Sequence, residues 1–90
     1  MLKFYNDLYD FLALDISING RTIVSGLYPG AYSRGFNAIP GLYTVKVTSQ
    51  DSELLRLNIQ LRYASSTIIV TGMPYKIGLS IIPRKQKGLL

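Results

Sequence analysis

Residues 14–24 read LDISINGRTIV, and this stretch decides the fold. Apolar and polar side chains alternate from Leu14 to Ile18, which is typical of strands that bury one face, and a second short segment follows from Arg21. The Asn19-Gly20 pair between them favours a type I′ turn, because both central residues of that turn need positive φ. The stretch therefore predicts a β-hairpin that pairs Ile18 with Arg21, Ser17 with Thr22 and Ile16 with Ile23.

The same alternation recurs along the rest of the chain, at residues 43–48, 55–62 and 76–81. Residues 68–70 are instead a continuous β-branched run, which indicates a strand covered on both faces. Residues 7–13 have room for only one or two helical turns, and we interpret them as a loop. Together the patterns predict an all-β, antiparallel sandwich of seven to eight short strands, Ig-like or prealbumin-like.

The hairpin of residues 43–48 and 55–62 has two registers that keep its polar side chains on one face. One register sets Lys46 against Arg56, a like-charge pair that is unfavourable. The other sets Lys46 against Asn58. We expect the second register, because it separates the two cations.

Length and composition limit the class of protein. A chain of 90 residues is one domain, and 48% hydrophobic against 17% charged residues is not the composition of a disordered segment. We expect a single β-sandwich domain over residues 1–83 and a basic, flexible C-terminal tail over residues 84–90. The formal net charge of +5 is compatible with nucleic acid as a partner without requiring it.

The first residues of the chain do not have the pattern of a secretory signal. The N-terminus lacks a basic segment followed by an apolar run, and no stretch reaches the roughly 20 apolar residues of a membrane span. We therefore expect a cytoplasmic protein with no membrane insertion. A cell-surface location is the alternative if the sequence is a piece of a longer, exported chain.

The residues that serve most enzymes are missing. The chain contains no Cys and no His, which excludes disulfides, Cys/His zinc sites and Ser-His or Cys-His catalytic pairs. Two of the five carboxylates, Asp51 and Glu53, fall in a predicted turn, where acidic residues are usual. No phosphate-binding loop and no Ser-x-x-Lys spacing occur. We expect no catalytic residue, no metal and no cofactor.

Tyrosine is the most informative side chain, with seven copies. Tyr43 lies on the inward phase of its strand and is expected in the core. If the N-terminal loop and the Leu27–Ala31 loop emerge at one end of the sandwich, their rings and one cation form a patch with the composition of a protein interface. Its candidate residues are Tyr9, Phe11, Tyr28, Tyr32 and Arg34. Two alternatives remain: the rings cap the ends of a thin sandwich, or the same loops bind a small ligand or carbohydrate.

A second candidate site is a polar sheet face, formed by Lys46, Arg56, Asn58, Gln60 and Arg62. Such a flat, cationic face would follow the phosphates of a nucleic acid. Base stacking needs aromatic rings on the same face, and Tyr43 falls on the opposite one. A solvated strand face whose charge discourages edge pairing explains the same residues.

One motif resembles a known family. Residues 15–20 read DISING, residues 39–47 read IPGLYTVKV, and Val24, Leu27, Gly30 and Ser33 lie between them. Over residues 2–47 this resembles the bacterial family of domains of unknown function numbered four-three-nine-seven. The resemblance implies an Ig-like or prealbumin-like β-sandwich and no catalytic residue. We therefore expect a non-catalytic structural or protein-interaction module, which presents loops or a sheet edge to an unknown protein partner or to another copy in a homo-oligomer.

Overall fold

The computed structural model describes residues 1–8, 12–73 and 76–83. Over these residues the chain forms two sheets and no helix. The strands are β1 (Leu2–Leu8), β2 (Leu14–Ile18), β3 (Arg21–Leu27), β4 (Gly41–Ser49), β5 (Ser52–Leu61), β6 (Ser66–Met73) and β7 (Lys76–Pro83). One sheet has the order β1-β6-β7 and the other β3-β2-β4-β5. The all-β sandwich prediction is confirmed; within its largely antiparallel sheets, β1 and β6 run parallel.

The first hairpin forms at the predicted turn. Asn19 and Gly20 have φ of 51° and 82°, as a type I′ turn requires. Ile18 pairs with Arg21 and Ser17 with Thr22, but Ile16 faces Val24 and not Ile23, because β3 bulges. The bulged edge of β3 is consequently a poor template for a further strand.

The second hairpin adopts the register that the sequence argument rejected. Gln50 and Asp51 both have positive φ, so the turn is tight and joins Ser49 directly to Ser52. This turn and a bulge between Val47 and Thr48 together set Lys46 opposite Arg56, so the expected pairing of Lys46 with Asn58 is wrong. The Arg56 guanidinium lies 2.8 Å from the Glu53 carboxylate, which offsets part of the repulsion.

Residues 30–36 lie between β3 and β4 of the four-stranded sheet and run along the free edge of β1 in the three-stranded sheet. Their backbone exchanges hydrogen bonds with β1: Leu2 and Phe36 bond to each other in both directions, at 2.8 and 2.7 Å, and Ser33 N–H donates to Phe4 O at 2.8 Å. The chain then returns to the four-stranded sheet as β4. One edge of the three-stranded sheet is thereby covered.

The core lies between the inward faces of the sheets. Its fully buried side chains alternate along the strands as the sequence predicts, and include Phe4, Leu14, Ile16, Val45, Val47, Leu61, Ile68 and Val70. Tyr43 packs partly buried against this core, and its hydroxyl donates to Ile39 O. Ile69 is partly exposed on the outward face, so the expectation that both faces of residues 68–70 are covered is wrong. Among the described residues, no further layer packs on the outward face of the three-stranded sheet.

A buried amide holds one end of the sandwich together. Asn6 is fully buried, and its Nδ2 donates to Leu12 O at 2.9 Å and to Leu27 O at 2.8 Å. Its Oδ1 accepts a hydrogen bond from Leu8 N–H at 3.0 Å, and its backbone O accepts one from Gly30 N–H. One side chain therefore ties β1 to the segment before β2 and to the end of β3.

We expect Asn6→Asp to lower the free energy of unfolding by at least about 3 kcal/mol, because a carboxylate cannot donate to the two buried carbonyls. Urea unfolding followed by circular dichroism measures the change. Asn58→Asp makes the same exchange at an exposed position and should stay within about 0.5 kcal/mol of wild type. Equal stability of the two variants would contradict the role of the Asn6 amide.

Candidate interaction surfaces

The outward face of the three-stranded sheet carries a stripe of aromatic and aliphatic side chains. Tyr32 and Tyr5 form an isolated antiparallel β-bridge, and their ring centroids are 4.5 Å apart. Ile69 of β6 lies directly beside Tyr5, and Ile82 of β7 lies on the same face, diagonally across from Ile69. We call these four residues the tyrosine face. Tyr32 is 64% exposed and Ile82 52% exposed.

The alternation of β1 explains why the tyrosine face points outward. Phe4 and Asn6 are fully buried between the sheets, so Tyr5 between them must point to the other side. Tyr32 is then held by ring contact with Tyr5 and by the backbone bridge. The result is an ordered but exposed aromatic surface, which is the composition found at the centres of protein interfaces.

The predicted aromatic patch is only partly assembled. Tyr28 begins a turn closed by a 3.0 Å hydrogen bond from Ala31 N–H to Tyr28 O, and its side chain is 70% exposed. Gly30 takes the φ of 81° that the third residue of a type II turn needs. The Arg34 guanidinium lies 5.1 Å from the Phe36 ring centre and lines a groove of about 300 Å³ beside β3, away from the tyrosine face.

The N-terminal part of the predicted patch cannot be placed, because Tyr9 and Phe11 lie outside the described residues. The residues on either side of that gap, Leu8 and Leu12, both bond to Asn6. Leu27 bonds to the same side chain. The described ends of the N-terminal loop and the start of the Leu27–Ala31 loop therefore lie at the same end of the sandwich. This is the condition on which the predicted aromatic patch depends.

A separate apolar cleft opens at the opposite end of the sandwich. It has a volume of about 330 Å³, and its walls include Leu2, Ile18, Ile23, Phe36, Ile39 and Ile59. Among the described residues, Arg21 is the single charged residue lining it, and Ile39 at its mouth is 77% exposed. Of the loop residues predicted to bind a small ligand, the three that the structure describes, Tyr28, Tyr32 and Arg34, do not line this cleft.

The predicted polar face is assembled on the outward side of the four-stranded sheet. Lys46 faces Arg56, Leu42 faces Gln60, and the Thr44 hydroxyl donates to Asn58 Oδ1 at 2.8 Å. Arg62 follows the end of β5. Asp15 and Glu53 project from the same side, and Glu53 binds Arg56, so the positive field is weaker than the sequence suggests. Nucleic-acid binding there stays a prediction.

Comparisons with known proteins add no assignment: no protein-family model, no curated protein and no solved structure matches this chain. The family resemblance of residues 2–47 therefore stays a prediction. Within the described ranges, no three acidic side chains gather as a metal site would need. The same ranges contain no helix of the length and apolar character needed to cross a membrane.

We expect Lys46→Glu to raise the free energy of unfolding by about 0.5 kcal/mol, because it replaces a like-charge pair with Arg56 by an opposite-charge pair. Urea unfolding at low ionic strength measures the gain, which salt should reduce. Lys46→Gln, which only removes the repulsion, should give a smaller gain. No gain from Lys46→Glu would favour the register in which Lys46 faces Asn58.

Proposed function

We propose that this protein is a non-catalytic β-sandwich module that binds a protein partner through the tyrosine face. The observation that carries the proposal is the exposed Tyr32 ring, which packs on Tyr5 beside the outward face of the central strand β6. Tyr28 extends the surface at the neighbouring end of the sandwich. Arg34, which faces the groove beside β3, is a peripheral contact.

The sequence of β6 supports a partner on this face. Residues 68–70 are β-branched on both sides of the strand, a pattern typical of strands covered on both faces. The core covers Ile68 and Val70 completely, whereas Ile69 stays partly exposed. A protein bound to the tyrosine face would cover the outward side of β6 and remove its apolar surface from water.

The contact between the Tyr5 and Tyr32 rings also favours binding. Tyr5 and Tyr32 hold each other in place before any partner arrives, so little side-chain entropy is lost on association. Tyr hydroxyls stay available for hydrogen bonds at the edge of the contact. The resemblance of residues 2–47 supports the same class of function, an Ig-like or prealbumin-like domain of bacterial origin without catalytic residues.

We expect the double change Tyr28→Ala and Tyr32→Ala to abolish partner binding while the domain stays folded. The wild-type protein, immobilised, is used to capture a partner, which is identified by mass spectrometry, purified and titrated by calorimetry. Leu42→Ala removes a side chain that is 73% exposed on the other sheet and should bind like wild type.

Two results would contradict this proposal. If the purified partner binds the double variant as tightly as wild type, the tyrosine face is not the contact surface. If the Tyr28→Ala and Tyr32→Ala proteins each lose cooperative thermal unfolding, the rings belong to the folded core and are not available for binding.

The end cleft supports a second candidate function, binding of a small apolar molecule with one anionic group. Its volume of about 330 Å³ and apolar walls are within the range of ligand sites. Arg21 at the lining offers one positive charge, and no carboxylate of the described residues lines the cleft to oppose it. Medium-chain fatty acids have this combination of an apolar chain and a single negative charge.

We expect decanoate to shift the amide NMR signals of cleft residues and decanol to bind there more weakly. Arg21→Gln should lower the affinity for decanoate about tenfold and leave that for decanol unchanged. Arg56→Gln, at an exposed cation on the polar sheet face outside the cleft, is the matched control. Equal effects of the two arginine changes, or shifts outside the cleft only, would rule out this site.

A further inference from the structure

The edges of the two sheets differ in how well they are protected against pairing. β3 is interrupted by bulges, and β1 is covered by residues 30–36. β5 carries the charged side chains Glu53 and Arg56. Bulges, covering segments and charges are the usual protections of an edge strand. The remaining edge of the described sheets is β7.

β7 has none of these protections along most of its length. It pairs with β6 without a register shift, from Lys76 opposite Met73 to Pro83 opposite Ser66. Lys76 at its first position is its one charged residue. Its other edge bonds to no described strand, so a regular row of backbone N–H and C=O groups is available for pairing.

The core is open beside this edge. Leu79 and Ile81 lie directly opposite Val70 and Ile68, which are fully buried, yet both remain partly exposed. Ile77 shares their inward face and is also partly exposed. Leu57 of β5, across the sandwich on the same side, is 41% exposed. The apolar layer of the described residues therefore ends at β7, and no described strand covers it.

We propose that a second copy of this chain pairs with β7, strand to strand and antiparallel, about a two-fold axis at Leu79. The alternation of the strand restricts the register to axes centred on a residue. Paired residues share a face, so inward residues must meet inward residues. Centring on Leu79 sets Leu79 against its own copy and Ile77 against Ile81 of the other copy, which continues the apolar layer through the dimer.

The same register avoids both obstacles that β7 contains. Lys76 faces Ile82 of the other copy, so the two ammonium groups lie at opposite ends of the shared ladder and do not repel each other closely. Pro83, which cannot donate a backbone hydrogen bond, falls outside the residues that pair. Centring on Ser80 would instead bring Pro83 opposite Ile77.

This dimer pairs backbone groups at the β7 edge and shares only Ile82 with the tyrosine face, so the changes at Tyr28 and Tyr32 test the proposed function and the changes at Leu79 test the dimer. Light scattering over a range of concentrations measures the association. We expect a mass that rises from one copy to two, and Leu79→Lys to raise the dimer dissociation constant at least about a hundredfold, because it places two ammonium groups together at the axis. Leu42→Lys makes the same change on the outward face of the other sheet and should leave the constant within about threefold of wild type.

Cysteine crosslinking tests the register and does not depend on the lysine variant folding. The chain has no cysteine, so one introduced thiol can pair only with its copy. Leu79→Cys should form a disulfide-linked dimer under mild oxidation, since directly paired Cα atoms in an antiparallel ladder are about 4.5–5.5 Å apart. Ile77→Cys alone should not crosslink, whereas Ile77→Cys combined with Ile81→Cys should.

Three results would overturn the dimer. One is a wild-type chain that stays monomeric up to about 1 mM. Another is a Leu42→Lys protein that dissociates as readily as the Leu79→Lys protein. The third is equal crosslinking by Ile77→Cys and Leu79→Cys, which would show chance collisions instead of a paired edge.

Discussion

The hydrogen bonds of the Asn6 side chain are the constraint on which the rest of this structure depends. Strand β1 belongs to one sheet, whereas Leu12 and Leu27 flank strands of the other, and the Asn6 amide bonds to both. The chain has no disulfide to join its sheets. Backbone carbonyls buried at the end of the sandwich would be costly without a donor, so a single side chain with two N–H groups closes that end. It also fixes where the loop bearing Tyr28 leaves the domain.

A sandwich this small buries the inward faces of its sheets and little else, because its surface is large relative to its volume. The two outward faces then differ in chemistry. The four-stranded sheet presents polar and charged side chains of both signs, with Glu53 and Arg56 paired. The three-stranded sheet presents Tyr5, Tyr32, Ile69 and Ile82, and its β7 edge is uncharged beyond Lys76. Both proposed protein contacts therefore fall on the three-stranded sheet, whose outward face carries the exposed aromatic and aliphatic side chains.

The strands and the first turn were predictable because their signals are local. Alternation between neighbouring residues indicates which side chains share a face, and the Asn19-Gly20 pair predicts positive φ at two adjacent positions. The pairing of Lys46 with Arg56 was not predictable from charge alone. The tight turn at Gln50 and Asp51, together with the bulge between Val47 and Thr48, determines that register, and the cost of two like charges at the surface is small beside the loss of a turn and its ladder. The tyrosine face was missed because Tyr5 and Tyr32 are far apart in sequence and meet only when residues 30–36 line the edge of β1.

The amino-acid sequence by itself determined that this protein is an all-β sandwich, which side chains of β2, β4, β5 and β7 point inward, and that it lacks Cys and His chemistry. These properties follow from composition and from alternation between neighbouring residues. Tertiary structure alone decided that β1 lies parallel to β6, that Asn6 binds both sheets, and which rings and edges remain exposed. Those features depend on contacts between distant segments, where backbone hydrogen bonds and turn geometry select among arrangements that are equivalent in their local pattern.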